Sequence, residues 1–252
     1  MKTFNRKLKI LIPVALLLSV SLFYCKTSGR AKSVNTVSLK LIASYKLNIQ
    51  EPSGITFNKD HTGYWIVDGN SQVIFKTDLK GNILEKLSYK GNDLEGIYFD
   101  QTDSSLWITE ERSREVVHID LKGNEIARFK VNIQGKKNKG FEGIFFNEKH
   151  TAFIVNEKKP TALLKLNHDF TILKQYDMDF ASDLSDLYYD GKDFFILSDE
   201  SEAIFVWNHK EGLKKKLLLP FPKAEGIVVD HQRNMIIIVN DATNTLYEFE
   251  YK

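Results

Sequence analysis

The chain has one cysteine in 252 residues, Cys25, so no intramolecular disulfide can hold it together. Its stability must come from a buried core, and the roughly 210 residues after the N-terminal segment are enough to build one. Every apolar run is short for a bilayer span. The longest, Ile10 to Tyr24, is broken by Pro13, Ser19 and Ser21, and a spanning helix needs about 20 apolar residues. Helical periodicity is absent as well, since apolar residues do not recur at three-to-four spacing.

Catalytic signatures are missing too. There is no GxSxG elbow, and Ser53 in PSG reads as a turn residue rather than a nucleophile. The six histidines, His61, His118, His150, His168, His209 and His231, show no HExxH spacing, and GKKNKG at 135–140 lacks the GK[ST] ending of a phosphate loop. Nor is there an excess of positive charge. Residues 1–24 carry four of the 35 basic side chains and none of the 33 acidic ones, so the rest of the chain has a net charge of −2. No nucleic-acid partner is expected. The short basic runs at Lys136, Lys137 and Lys139 and at Lys214 to Lys216 read as solvated loop or strand ends.

The N-terminus has an address instead of a fold. Lys2, Arg6, Lys7 and Lys9 precede the apolar run, which fits a secretory signal peptide over residues 1–24. Cys25 follows directly and reads as a lipobox cysteine, cleaved and acylated to tether the protein to a bacterial membrane. Tyr24 stands where a small residue is usual. That leaves two other outcomes open: an uncleaved signal anchor, or ordinary cleavage a few residues later. Residues 25–38 are polar and free of aromatics, which suits a lipidated, flexible tether. The folded domain is expected over residues 39–252.

Within that domain the sequence repeats itself. IASYKLNIQ at 42–50 returns as IARFKVNIQ at 126–134, with the period-2 alternation of half-buried strands preserved. The larger repeat has five copies, opening at PSGITF, DLEGIYF, GFEGIFF, DLSDLYY and AEGIVV. Their register positions, Gly54, Gly96, Gly143, Asp186 and Gly226, are 42, 47, 43 and 40 residues apart. Four short strands in a unit of about 40–45 residues are the mark of a β-propeller blade. The last copy ends at Lys252 after its third strand, TLYEFEY. IASYKL supplies the missing outer strand from the other end of the chain. The expectation is an all-β, five-bladed propeller of four-stranded blades, with the N-terminal strand closing the last blade and leaving no unpaired edge at the seam.

The repeat also aligns carboxylates. Before the register position stand Ser53, Glu95, Glu142, Ser185 and Glu225. The first strand of a blade lines the central channel, so three glutamates converge near one axis. Like charges there must take up protons, find partners or gather round a cation. Oxygen ligands without cysteine or clustered histidine suit a hard cation, and Ca2+ accepts ligands from separate loops. A second set lies at the ends of the second strands: Asp68-Gly69, Glu110-Glu111, Asn156-Glu157, Asp199-Glu200 and Asn240-Asp241. Both sets face the same channel mouth, beside Asp93 and Asp183. The competing reading is plain turn chemistry, with glycine supplying a positive φ and glutamate simply hydrated. His61, His150 and His231 recur on the opposite face and read as surface-loop residues. Tyr64, Trp65, Phe153, Phe194 and Phe195 recur in second strands, where packing between blades accounts for them.

The blade openings DLEGI, GFEGI and AEGI, with PSGI first and ILSDES in the fourth blade, resemble the SdiA-regulated family of bacterial propellers, which is distantly similar to NHL-repeat proteins. The resemblance covers residues from about 40 to the end. It implies a five-bladed propeller with a calcium site and no established reaction. Carried onto this chain, the acidic positions of the matching motifs are Glu95, Glu142 and Glu225, with Asp183 beside them. DLSD departs from the family's DVSG and puts Asp186 where glycine is expected, so the fourth blade's part in the site stays open.

Two functions from different classes follow. One is an exported, membrane-tethered, calcium-binding interaction module that engages an envelope protein or small ligand at the channel mouth. The other is a Ca2+-dependent hydrolase of lactonase, esterase or phosphoesterase type. There the cation would polarise a carbonyl or phosphoryl oxygen, Glu110, Glu111, Asp199 or Glu200 would act as base, and Arg112 would hold an anion.

Overall fold

The computed structural model describes residues 34–133 and 139–251; the signal segment, Cys25, Lys136 and Lys137 lie outside them. Among the described residues every regular element is a strand. Two precede the repeats, β1 (Asn35–Ser38) and β2 (Lys40–Lys46). Blade one is β3 (Pro52–Phe57), β4 (Gly63–Asp68), β5 (Val73–Asp78) and β6 (Ile83–Lys86). Blade two is β7 (Leu94–Asp100), β8 (Ser105–Glu110), β9 (Glu115–Ile119) and β10 (Glu125–Lys130), and blade three is β11 (Phe141–Phe146), β12 (Ala152–Asn156), β13 (Ala162–Leu166) and β14 (Ile172–Asp177). Blade four is β15 (Asp186–Tyr189), β16 (Phe194–Ser198), β17 (Ala203–Asn208) and β18 (Gly212–Leu218); β19 (Ala224–Asp230), β20 (Met235–Asn240) and β21 (Thr245–Glu250) begin blade five.

Each blade is an antiparallel meander, and β2 completes the fifth. It pairs antiparallel with β21, Tyr45 opposite Leu246 and Lys46 opposite Thr245. The echo of IASYKL in IARFKV therefore has a structural meaning: β2 and β10 are the outer strands of blades five and two. One feature departs from the sequence reading. The last four residues of the expected tether form β1, which lies parallel to β18 as a fifth strand on blade four, with Asn35 opposite Lys215 and Ser38 opposite Leu218. All four residues are exposed, so hydrophobic alternation could not reveal this strand. Main-chain pairing to an open edge accounts for it.

The turns obey local chemistry. In the DLKGN sequences at 78–82 and 120–124, an aspartate folds back on the chain: Asp78 Oδ1 accepts from Lys80 N at 2.8 Å and Asn82 N at 2.9 Å, and Asp120 does the same for Lys122 and Asn124. Gly81 (φ 79°) and Gly123 (φ 84°) supply the left-handed residue such turns need.

The core lies between the blades, in five apolar clusters, one for each seam. Trp65, Val67 and Ile74 of blade one meet Leu94, Leu106 and Ile108 of blade two; Ile55, Phe57 and Ile66 of blade one meet Val228, Ile237 and Val239 of blade five. Clusters of the same kind fill the second–third, third–fourth and fourth–fifth seams. The ring therefore closes. Burying one such side chain contributes about 1.5–3 kcal/mol. Tyr64, Trp65, Phe153, Phe194 and Phe195 are all buried in these seams, as the sequence predicts.

Candidate functional site

The register glycines do not serve by positive φ; the glycines in that region are Gly81, Gly123, Gly191 and Gly212. They are needed for close approach. A methyl group on Gly96 would overlap the carbonyl oxygen of Glu142, one on Gly54 that of Glu95, and one on Gly226 that of Ser53. Each innermost strand thus rests on the next around the axis. In blade four, Asp186 replaces the glycine and spans the gap with its carboxyl group. Oδ1 accepts from Leu187 N and Oδ2 from Ile227 N of the fifth blade, both at 2.8 Å.

The same positions carry a β-bulge. In blade two Leu94 faces Glu110 and Ile97 faces Ile108, so Glu95 and Gly96 together oppose Thr109 alone. Blades one, three and five show the same shift. One extra residue reverses the facing of side chains on its two sides. Ile97 and Phe99 are buried in the seam, whereas Glu95 is only half-buried. The bulge is what turns the glutamate into the channel.

There it meets many others. A cavity of about 260 Å³ at this mouth is lined by ten carboxylates and one cation, Lys223. Glu95, Glu142 and Glu225 come from the bulges; Glu111, Glu157, Asp199 and Asp241 come from the ends of the second strands; Glu51, Asp93 and Asp183 complete the set. Two triplets bring carboxylate oxygens within 4.8 Å of one another: Asp93, Glu95 and Glu111, and Glu111, Glu142 and Glu157. Glu111 belongs to both. Its Oε1 accepts from Gly140 N at 2.8 Å, and Arg112 Nε lies 3.0 Å from Asp93 Oδ2.

Of the four residues singled out in the sequence, Glu95 and Glu142 sit in these triplets. Glu225 and Asp183 line the same cavity outside both. Glu225 lies 3.7 Å from Lys223 Nζ, which also reaches Asp199 at 3.0 Å. Asp183 accepts from Ser198 Oγ at 2.5 Å and from Glu200 N at 3.1 Å. Glu111 and Glu157 were visible in the sequence as part of the second set, but nothing there ranks them above their neighbours. Glu110, beside Glu111, points away from the cavity; it is buried against Tyr89 Oη and Arg128, each at 2.7 Å.

Electrostatics follow from this crowding. Burial, and then the charges of neighbouring glutamates, push Glu95 and Glu142 well above the ordinary carboxylate range. Burial likewise pushes Glu111 and Glu225 up to about 7. Asp183 and Asp186 are also raised, chiefly by burial. The site can relieve this repulsion by holding protons or a cation. Its donors are all oxygen, from several loops, and they fit a hard cation of the Ca2+ type, which takes about six to eight oxygen ligands.

Among solved structures, the fold is similar to glutaminyl cyclase of Myxococcus xanthus (TM-score 0.67, 12% identity, covering 86% of this chain and 97% of that one). It is also similar to a protein of unknown function from Bacteroides caccae (TM-score 0.57, 10% identity, 75% and 70%). A third is a catalytically inactive virginiamycin B lyase from Staphylococcus aureus, bound to quinupristin (TM-score 0.52, 17% identity, 80% and 66%). At these identities the likenesses show the fold alone. No curated protein matches the chain. The SdiA-regulated family pattern matches residues 36–250, and the chain belongs to that family.

Proposed function

We propose that the acidic mouth binds Ca2+ and that the cation-ordered mouth serves as an interaction surface for an envelope protein or small ligand. The observation that carries this reading is the pair of carboxylate triplets joined through Glu111. Asp93, Glu95, Glu111, Glu142 and Glu157 would hold the ion, with Glu225 and Asp183 further along the same wall. Bound Ca2+ would supply two positive charges, offsetting part of the wall's negative charge and offering a coordination position to a carbonyl or carboxylate oxygen of a partner. Lys223 already occupies the side formed by Asp199 and Glu225, which directs the ion to the opposite side. The protein is read as exported and tethered to a bacterial envelope membrane through a lipid on Cys25. Among the described residues no helix is long and apolar enough to cross a membrane. Intact mass of the cell-derived protein tests the tether by showing, or failing to show, a lipidated Cys25 and the loss of residues 1–24.

The metal is tested by melting. Ca2+ at about millimolar concentration should raise Tm relative to chelated protein, and Glu142→Gln should abolish most of that rise. No shift, with no metal recovered by elemental analysis, removes the site. Hydrolysis is the second reading, favoured by one observation: Arg112, a cation able to hold an anionic substrate group, stands 3.0 Å from Asp93 of the carboxylate cavity. Lactone, aryl ester and phosphomonoester substrates, assayed with Ca2+ and with chelator, separate the two. Chelator-sensitive turnover lost in Glu142→Gln overturns the interaction reading.

A further inference from the structure

The bulges that aim glutamates at one mouth give the other mouth a different lining. Three residues beyond each glutamate position stand Thr56, Tyr98, Phe145, Tyr188 and Val228, one from each innermost strand. Three of the five are aromatic, and they pack edge to face around the axis. Tyr98 and Phe145 have ring centroids 5.0 Å apart at 65°, and Phe145 and Tyr188 are 5.3 Å apart at 69°. Tyr189 adds a fourth ring, 6.3 Å from Phe145 at 74°. A cavity of about 380 Å³ opens on these rings, within the size range of small-ligand sites.

The polar groups of this cavity include three carboxylates and two histidines, His150 and His231. Asp100, Glu148 and Asp190 line it, and none of its lining residues is lysine or arginine. Asp100 faces His150, whose Nδ1 is 3.6 Å from Oδ2. Asp190 spends Oδ1 on the turn amides of Lys192 and Asp193, at 2.8 and 2.6 Å. The exposed Glu148 makes no hydrogen bond or ion pair with any described residue. The phenols stay protonated, because burial and then the nearby carboxylates push Tyr98 and Tyr188 up to about 12. Neutral aromatic faces beside carboxylates form an environment that attracts a cation too poorly hydrated to prefer water. The ten-carboxylate cavity at the other mouth has no ring in its lining, so the two mouths offer different chemistry.

The geometry points to an aromatic cage at the mouth opposite the acidic cavity, formed by Tyr98, Phe145, Tyr188 and Tyr189 with Asp190 and Glu148, that binds a small organic ammonium ion. A quaternary or alkylated ammonium group fits both halves of the chemistry. Its methyl groups pack on the rings, and its charge is met by ring faces and carboxylates. A free metabolite and the headgroup of a lipid share this group.

Choline and its neutral isostere 3,3-dimethylbutan-1-ol provide the test, titrated by NMR into the full-length protein. The expected result is choline binding about tenfold tighter than the isostere. Its N-methyl resonance should shift upfield, as ring faces dictate and as a site lined only by carboxylates cannot produce. Phe145→Leu and Tyr188→Leu should weaken choline about tenfold, with melting temperature checked in parallel. Glu148→Gln, at an exposed position, should weaken it by about threefold without touching the fold. Because the N-terminal segment can hold the protein on any bilayer, choline-headed vesicles are compared with vesicles lacking choline. Only a lipid-directed cage gives extra retention on the choline-headed ones, and Tyr188→Leu should remove that extra retention. Equal affinity for the isostere, no upfield shift, or no binding at millimolar choline overturns the proposal.

Discussion

Thr109, in the second strand of blade two, donates its side-chain hydroxyl to the main-chain oxygen of Glu142 in blade three, and the hydroxyl oxygen Oγ1 itself accepts from Gly96 N at 2.6 Å. One hydroxyl thus satisfies the bulge that aims Glu95 and fixes the backbone that carries Glu142. Thr109→Val keeps the shape and removes both bonds. The expected cost is about 1–3 kcal/mol, because a buried amide and a buried carbonyl lose their partner. Urea unfolding measures that loss. The Ca2+-induced rise in Tm should shrink in the same variant, since two glutamates are less well aimed; an unchanged rise would separate the bulge from the metal site.

Arg128 supports a second buried carboxylate away from the channel. It reaches Glu110 at 2.7 Å, Glu115 at 2.8 Å and Glu125 at 2.8 Å, and Glu110 is almost wholly buried. Arg128→Met leaves that charge with no cation beside it, held only by neutral donors: the Tyr89 and Ser113 hydroxyls and Asn92 N. Removing one member of a buried pair costs about 3 kcal/mol or more. The prediction is a lower urea midpoint with an unchanged slope. Replacing Glu110 as well, by Gln, should recover part of the loss.

How far the sequence could be read differs from element to element. The five blade openings and the clasp strand were legible, because alternation and repeat length are local properties that survive in a one-dimensional string. The Glu-Gly dipeptides were legible as positions but not as devices. A bulge exists only in the pairing of two strands, and the overlap of Gly96 with Glu142 exists only across two blades. The cavity wall was legible as two sets of acids; that Glu111 joins two triplets while Glu110 turns away depends on facings set by the bulge and strand end. β1 was not legible at all. Its NTVS sequence has no buried face to advertise.

The clasp makes its own prediction. β2 is mostly exposed, so its apolar burial is modest, yet it supplies the pairing partner for the whole length of β21 and places Tyr45 against the first–fifth seam. Deleting residues 34–46 should leave β21 as an open edge next to a frayed seam. The expected outcome is concentration-dependent association on size exclusion and loss of a single cooperative melt. A monomer that melts as sharply as the parent would show that the ring does not need its closing strand.

Acidity gives the last test its sign. Glu111 and Glu225 are pushed up to about 7 in the folded protein, and Glu95 and Glu142 are raised as well. In the unfolded chain the same groups titrate near about 4.3. Between those values the folded state holds more protons than the unfolded one, so the metal-free protein loses stability as pH rises through this window. At lower pH a different set takes over. Lys214 and Arg233 hold Asp193 and Asp230 below the usual range, and their stabilisation disappears as pH falls through those lowered values. The chelated protein should therefore melt highest near about pH 4 and progressively lower toward about pH 8. Ca2+ competes with the protons, so its stabilising effect should grow over the same interval and its binding should release protons into the buffer. Calorimetry across that range, with and without chelator, reads both slopes. A chelated protein whose Tm climbs toward pH 8 would mean that the mouth carries its charges without strain, and a cation would then have nothing to relieve.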